Sequence, residues 1–252
     1  MFGFTDRRPT FDVSSRSSPS ETLVVGVSEF GLAGLTAVDY LVTHLGLEET
    51  GHIRVDELPT ITPFAEGRPR HHTRLYSRDD LDVTVLVGEL FLPPSAADAF
   101  GQAVIEWTDA NGIDETVALS GVPTAHGPDE HVTYHIATDD YRSERLEDLD
   151  PAVPAMGGGY LAGVNGALLS HGMETALAAC VYTTPVHAQT PDADAALRLL
   201  ETLDRVYDLG VDLGPLEAFA EQVSRQYEEL AARMEAAEAE VGERQAEDRM
   251  YM

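Results

Sequence analysis

Four short apolar runs, separated by segments with helical spacing, constrain the fold of this 252-residue chain more than any other feature. The runs are almost continuously hydrophobic, which is typical of strands buried on both faces of a sheet. They are Thr22–Val27, Leu81–Gly88, Glu115–Gly121 and Ala176–Tyr182. A further segment, His131–Ala137, alternates between polar and apolar residues and predicts one more strand.

Three segments between or after these strands have the spacing of helices. They are Gly31–Leu45, a segment that Pro93-Pro94-Ser95 opens and Gly112 ends, and Asp192–Tyr207. Buried strands that alternate with helices predict a mostly parallel sheet covered on both faces, which is a three-layer α/β/α sandwich. Such folds carry many unrelated activities, so the fold alone does not predict a function.

The two ends of the chain differ from this α/β domain, which we predict to span residues 22–215. Residues 1–21 are rich in Ser, Arg, Pro and Thr without periodicity and predict a flexible leader. Residues 216–241 predict a long helix with a heptad seam, suited to a coiled coil or to packing on the domain. The seam is Leu216, Ala220, Val223, Tyr227, Leu230, Met234, Ala237 and Val241, and we assign oligomerisation to Leu216, Val223, Tyr227, Leu230 and Met234. Residues 242–252 lack an apolar stripe and predict a mobile tail.

The chain is strongly acidic, with 44 Asp and Glu residues, 16 basic residues that are all Arg, and a formal net charge of −28. Because the acidic residues are spread through a globular pattern, they predict a surface adapted to very high intracellular salt. At about 1 M salt the Debye length is roughly 3 Å, so repulsion between surface carboxylates is largely screened. This charge argues against nucleic acid as a partner. The one basic island, Arg68 to Arg74, is expected to be a solvated loop.

Several classes of site are not expected from the remaining composition. Cys180 is the only cysteine and stands in apolar surroundings, which predicts a small buried residue rather than a nucleophile. Since apolar stretches fall short of the roughly 18 residues of a membrane span and no hydrophobic signal region is present, we expect a cytoplasmic protein without a membrane partner. His126, His131 and His135 lack the His-Glu-x-x-His pattern, so no metal or other cofactor is expected.

Two glycine-rich turns are candidate ligand sites. The turn Gly26–Gly34 joins a strand to a helix, where phosphate groups often bind, but it has neither the dinucleotide nor the phosphate-loop spacing. We favour a tight turn in which Gly34 permits close packing of helix on sheet. Gly157–Leu169 lacks a Gly-x-Ser-x-Gly elbow, and for it we favour a loop and helix start. Glu29 and Glu89 each follow a buried strand, where α/β ligand sites open, so a small-molecule-binding hydrolase or nucleosidase-like enzyme that uses these turns stays open as an alternative.

Five motifs follow one another in a characteristic order. They are Gly26-x4-Gly31-Leu32-x-Gly34; Gly51-His52-Ile53 with Glu57-Leu58-Pro59; Leu119-Ser120-Gly121-Val122-Pro123; Gly163-Val164-Asn165-Gly166-Ala167-Leu168-Leu169; and Pro191 to Leu197 with Leu199-Leu200. From about Glu21 to Leu230 the chain thereby resembles the archaeal members of the proteasome assembly chaperone 2 family. The resemblance implies an α/β/α sandwich of the phosphorylase/hydrolase-like type, without established catalysis, that forms homo-oligomers and acts on the proteasome.

The resemblance also implies a role for the C-terminal tripeptide Met250-Tyr251-Met252. It matches a hydrophobic-Tyr-any motif with which some family members enter pockets between the α subunits of the proteasome core particle. The terminal carboxylate would pair with a basic group, Tyr251 would stack and donate a hydrogen bond, and Met250 would fill an apolar groove. Several tails on one oligomer would raise the apparent affinity roughly 10²–10⁴-fold. We therefore expect a non-enzymatic, ATP-independent assembly chaperone or activator, with proteasome α subunits and further copies of itself as partners.

Overall fold

The structure is a computed structural model that describes residues 9–59, 61–124, 131–187 and 191–222. Its larger part is an eight-stranded sheet with helices beside it. The chain divides into two compact units, Met1–Asp212 and Leu213–Met252. The strands are β1 (Thr10–Ser15), β2 (Thr22–Val27), β3 (Glu48–Asp56), β4 (Phe64–Ala65), β5 (Arg68–Pro69), β6 (Thr73–Ser77), β7 (Val83–Gly88), β8 (Glu115–Pro123), β9 (Tyr134–Ala137) and β10 (Ala178–Val186). The helices are α1 (Ala33–His44), α2 (Pro94–Asn111), α3 (Asp139–Tyr141), α4 (Gly163–Glu174) and α5 (Ala193–Tyr207), with a 3₁₀ turn at Phe30–Leu32 and a π-helical turn at Arg142–Leu146.

The strand order of the large sheet is β1-β3-β6-β7-β2-β8-β10-β9, while β4 and β5 form a separate two-stranded hairpin. The four central strands, β7, β2, β8 and β10, pair in parallel. They correspond to the four apolar runs from which the fold was predicted. On their flanks β6, β3 and β1 on one side, and β9 on the other, are added in antiparallel pairs. The prediction of a mostly parallel sheet is therefore wrong, because the sheet is mixed.

Strand β1 corrects the prediction that all of residues 1–21 form a flexible leader. Thr10–Ser15 pairs with β3 along its whole length. Its two apolar residues, Phe11 and Val13, are partly buried against the core, and the Phe11 ring meets Phe100 of α2 edge to face at 5.2 Å. Two apolar side chains at alternate positions and a row of backbone hydrogen bonds are sufficient to add this edge strand.

The basic island also differs from the solvated loop that was predicted. Arg68 and Pro69 form β5, and Thr73 and Arg74 begin β6. The side chain of Arg74 is fully buried. The charge of Arg74 is neutralised by the carboxylate of Glu89, and its guanidinium also donates to the Tyr76 hydroxyl and the His71 carbonyl oxygen.

Helices contact both faces of the sheet, as the alternation of side chains along β2 shows. Leu23 and Val25 belong to the apolar core cluster that also contains Phe100 and Val104 of α2. A Cβ atom at Gly26, which points to the other face, would meet Val38 of α1. Helix α1 also contacts α5, and α2 contacts α4. The ends of α2 and α5 follow the sequence signals, with Gly112 left-handed after α2 and the Asp192 carboxylate accepting from the Ala195 N–H at the start of α5.

The second unit is described only over residues 213–222, of which 214–222 are helical. Two heptad positions, Leu216 and Ala220, are buried there. The other predicted oligomerisation residues, Val223, Tyr227, Leu230 and Met234, lie outside the described residues, as do Ala237, Val241 and the tail 242–252. Among the residues described, no helix combines the length and apolar character that a membrane crossing requires.

We expect Gly34→Ala to lower the free energy of unfolding by about 3 kcal/mol, because it overpacks the contact between α1 and the sheet. An added Cβ would lie 1.9 Å from the Leu119 carbonyl oxygen of β8. Urea unfolding in molar KCl measures the change. Gly157→Ala is the control, since no atom lies within 4 Å of its Cβ position. Equal stability of the two variants would contradict close packing at Gly34.

Candidate functional site

The chain leaves two neighbouring parallel strands, β2 and β8, in opposite directions. After β2 it passes through α1 to β3, on the β7 side of the sheet, whereas after β8 it continues to β9 and β10 on the other side. Ligand sites of open α/β sheets lie at the carboxyl ends of strands at such a switch point. The ends of β2 and β8 therefore form the candidate site of this fold.

Glu29 follows β2 at this point and is bonded to two polar side chains from elsewhere in the chain. Ser120, near the end of β8, donates from Oγ to Glu29 Oε2 at 2.6 Å. Asn165, in the first turn of α4, donates from Nδ2, which lies 3.2 Å from each carboxylate oxygen. Both partners are buried. Burial raises the pKa of Glu29 above its usual value, and the hydrogen bonds from Ser120 and Asn165 offset part of that rise.

The position of Glu29 after a buried strand predicts a site residue, whereas neither of its partners was predicted. A signal was present, since Ser120 is the only polar residue in Leu119–Pro123, and Asn165 is the only one in Gly163–Leu169. A single polar side chain in an otherwise apolar motif is expected to find a buried hydrogen-bonding partner.

The glycines around Glu29 permit close packing, in agreement with the tight-turn interpretation of Gly26–Gly34. A Cβ atom added at Gly26 would lie 2.4 Å from the Gly34 carbonyl oxygen, and one added at Gly31 would lie 2.8 Å from the side chain of Val186. Gly31 also has a left-handed backbone, with φ of 66°. In the second turn, a Cβ at Gly166 would lie 2.8 Å from the Leu161 carbonyl oxygen, and Gly163 has φ of 62°. These turns hold backbone segments against one another, and the carboxyl group of Glu29 fastens the first turn to β8 and α4.

Glu89, the second candidate carboxylate, follows β7 and lies in a different environment. Its Oε1 is 2.7 Å from Arg70 Nη2, and its Oε2 is 2.9 Å from Arg74 Nη1. The buried Arg74 side chain also donates from Nε to the Tyr76 hydroxyl at 2.6 Å. Glu29 is thus bonded to neutral donors and Glu89 to two guanidinium groups, so the two carboxylates have different electrostatic roles.

The cysteine and histidine candidates Cys180 and His135 are buried in the neighbouring strands β10 and β9. Cys180 is buried, and burial raises the pKa of its thiol well above the usual value, which agrees with an inert residue. The buried His135 donates from Nδ1 to the Val153 carbonyl oxygen at 2.9 Å. Within the described ranges, no group of three or more His, Cys, Asp or Glu side chains is arranged to hold a metal ion. His126 and the predicted docking residues Met250, Tyr251 and Met252 lie outside the described residues.

Fold and site together define a mixed α/β protein whose glycine-rich turns pack backbone against backbone. The chain belongs to the PAC2 family, whose family model matches residues 23–231. An uncharacterized protein of Methanocaldococcus jannaschii is 25% identical over 201 residues, which are 80% of this chain and 81% of that protein.

Two solved structures from Pyrococcus furiosus have the same fold. PbaA, an archaeal homolog of proteasome-assembly chaperone, superposes with a TM-score of 0.79 at 23% identity, over 96% of this chain and 100% of that one. PbaB, an archaeal proteasome activator, superposes with a TM-score of 0.73 at 18% identity, over 89% of this chain and 99% of that one.

The raised pKa of Glu29 predicts a pH dependence of stability. Above about pH 4.5 the unfolded chain releases this proton while the folded protein still holds it, so the free energy of unfolding falls until pH exceeds the folded-state pKa. Glu29→Gln should abolish the part of the pH dependence that comes from Glu29. Ser120→Ala removes a hydrogen bond that lowers the pKa of Glu29, so the fall in the free energy of unfolding should extend to higher pH. Urea unfolding in KCl across the acid range measures both differences from wild type. Curves parallel to wild type for both variants would contradict the assignment.

Glu89→Gln should destabilise the protein by about 3 kcal/mol, because it leaves the buried guanidinium of Arg74 without its carboxylate. The matched control is Asp80→Asn, which breaks the exposed ion pair between Asp80 and Arg78 and should leave the urea midpoint nearly unchanged. Urea midpoints at neutral pH compare the two. A Glu89→Gln protein as stable as the control would show that Glu89 does not neutralise Arg74.

Proposed function

We propose that this protein is a non-enzymatic, ATP-independent proteasome assembly chaperone or activator. The observation that carries the proposal is its membership of the PAC2 family, together with a match to PbaA that spans nearly all of both chains. Such coverage means that this chain has the architecture of a protein described as a proteasome-assembly chaperone homolog. The close packing of the glycine-rich turns around Glu29 supports a body that does not bind nucleotide phosphates there.

We further propose that docking depends on the C-terminal tripeptide Met250-Tyr251-Met252, inserted into pockets between α subunits of the core particle. A long helix that continues the heptad seam past residue 222 would join copies of the chain and present several tails at once. We also propose that the fold is a three-layer α/β/α sandwich of the phosphorylase/hydrolase-like type and that residues 242–252 form a mobile tail. The protein is proposed to be cytoplasmic and adapted to high salt.

One observation favours the alternative of a small-molecule-binding hydrolase. The Ser120 hydroxyl donates to the Glu29 carboxylate at 2.6 Å, as a nucleophile does to its general base. The same carboxylate is also held by Asn165, and the adjoining Gly31 is packed on Val186. These contacts are those of a carboxylate that holds the turn in place by hydrogen bonds to β8 and α4. We therefore propose the assembly chaperone or activator rather than the hydrolase.

Tyr251→Ala and removal of residues 250–252 should each greatly reduce capture of the protein by immobilised archaeal core particle in high-salt buffer. Loss of an aromatic anchor typically costs about 2 kcal/mol or more, which is roughly 30-fold in affinity for one tail. Tyr160→Ala is a matched control, because Tyr160 is a fully exposed tyrosine of the α/β unit. It should be captured like wild type. Equal capture of all four proteins would refute docking by the tail.

A further inference from the structure

A cleft of about 610 Å³ lies where the end of β3 faces the residues that lead into β6. Its polar lining includes Arg54 and Asp56 from β3 and Arg70, His71 and His72 from the basic island. In a chain with 16 basic and 44 acidic residues, this wall combines two arginines and two histidines with one carboxylate. It is separate from the Glu29 turn and independent of the proposed function.

The arginines that line this cleft, Arg54 and Arg70, are incompletely neutralised. Glu89 is shared between Arg70 and the buried Arg74, so two guanidinium groups have one carboxylate between them. Among the residues that the structure describes, Arg54 forms an ion pair with Asp12 at 3.9 Å, and both side chains are largely exposed. Such a pair contributes little in water. Asp56, on the cleft wall, is the remaining carboxylate of the lining.

Two guanidinium nitrogens beside the cleft are buried without a hydrogen-bonding partner in the part of the chain that the structure describes. They are Arg70 Nε and Arg74 Nη2. Arg74 is bonded to the wall of the cleft, since its Nη1 donates to the carbonyl oxygen of the lining residue His71. A buried donor without an acceptor costs about 1–3 kcal/mol, and more when it is charged. In native proteins nearly all buried donors have an acceptor, which is a protein group, water or a bound ligand.

We propose that this cleft binds the phosphate or carboxylate group of a small organic anion. An oxyanion matches the planar donor pattern of a guanidinium group and forms charge-assisted hydrogen bonds with it. The volume exceeds that of a single oxyanion and falls within the roughly 300–1,000 Å³ of small-molecule sites, so the anionic group would be part of a larger molecule. His71 stacks on His52 with ring centroids 3.7 Å apart, which provides a flat surface beside the anion.

The histidines provide a readout of binding. Burial, followed by the charges of His71 and Arg74, lowers the pKa of His72. A bound oxyanion acts in the opposite direction, so it should raise the pKa of His72 as seen by NMR of the imidazole ring. His135 lies outside the cleft lining and should not shift.

The test is calorimetric titration of the full chain in KCl with inorganic phosphate and, separately, with citrate, which distinguishes a phosphate site from a carboxylate site. Arg54→Gln and Arg70→Gln should each weaken binding by about tenfold, the effect of losing one charge-assisted hydrogen bond. Arg205→Gln is the control, since it removes the same charge from an exposed position at the end of α5.

The proposal is supported if wild type binds phosphate or citrate, if Arg54→Gln and Arg70→Gln weaken that binding, and if Arg205→Gln does not. Arg54 is exposed, so its replacement should leave the protein folded, and the urea midpoint verifies this. Wild type that binds neither phosphate nor citrate would overturn the proposal. Equal weakening by Arg205→Gln would also overturn it, because it would show a general effect of net charge.

Discussion

Helix α1 reaches the centre of the sheet because Gly34 has no side chain where the helix touches the Leu119 carbonyl of β8. Gly26 on β2 likewise has no side chain where that strand approaches the helix, and a Cβ added there would lie 2.4 Å from the Gly34 carbonyl oxygen. This contact determines the course of the preceding turn, which passes over the ends of β8 and β10, where Gly31 packs on Val186. The turn in turn places Glu29 beside Ser120 and Asn165. Close packing of one helix therefore positions the polar group at the switch point.

The central strands could be predicted because they are buried on both faces and carry few polar residues. The flanking strands could not. β3 includes His52, Arg54 and Asp56, and four of its nine residues are exposed while only two are buried. Its stability therefore comes largely from backbone pairing with β1 and β6. Such pairing depends on neighbours that are distant in sequence and leaves little hydrophobic pattern in the strand itself. For the same reason the sequence of β1 predicts a flexible leader, although Phe11 packs against Phe100 in the folded protein.

The candidate site was predictable in position and not in composition. Glu29 and Glu89 could be singled out because each follows a buried strand of an α/β pattern. Their partners could not, since Ser120 lies 91 residues from Glu29, and Asn165 lies 136 residues from it. Arg74 was expected in solvent because an isolated charge is costly to bury. It is buried because β6 and β7 are neighbours, which brings Glu89 within 2.9 Å of its guanidinium.

The cost of burying Arg74 bears on what the cleft does. A buried ion pair is seldom more stabilising than well-packed apolar side chains of the same volume, because desolvation offsets much of the Coulomb attraction. Stability alone therefore does not explain a fully buried arginine that shares its carboxylate with Arg70 and has one nitrogen without an acceptor among the described residues. Recognition of an anion does account for it, because Arg54 and Arg70 line the cleft and Arg74, which donates to the carbonyl oxygen of the lining residue His71, adds positive charge behind them. The carboxylate shared by the two arginines fixes their positions before a ligand arrives, which reduces the entropy lost on binding.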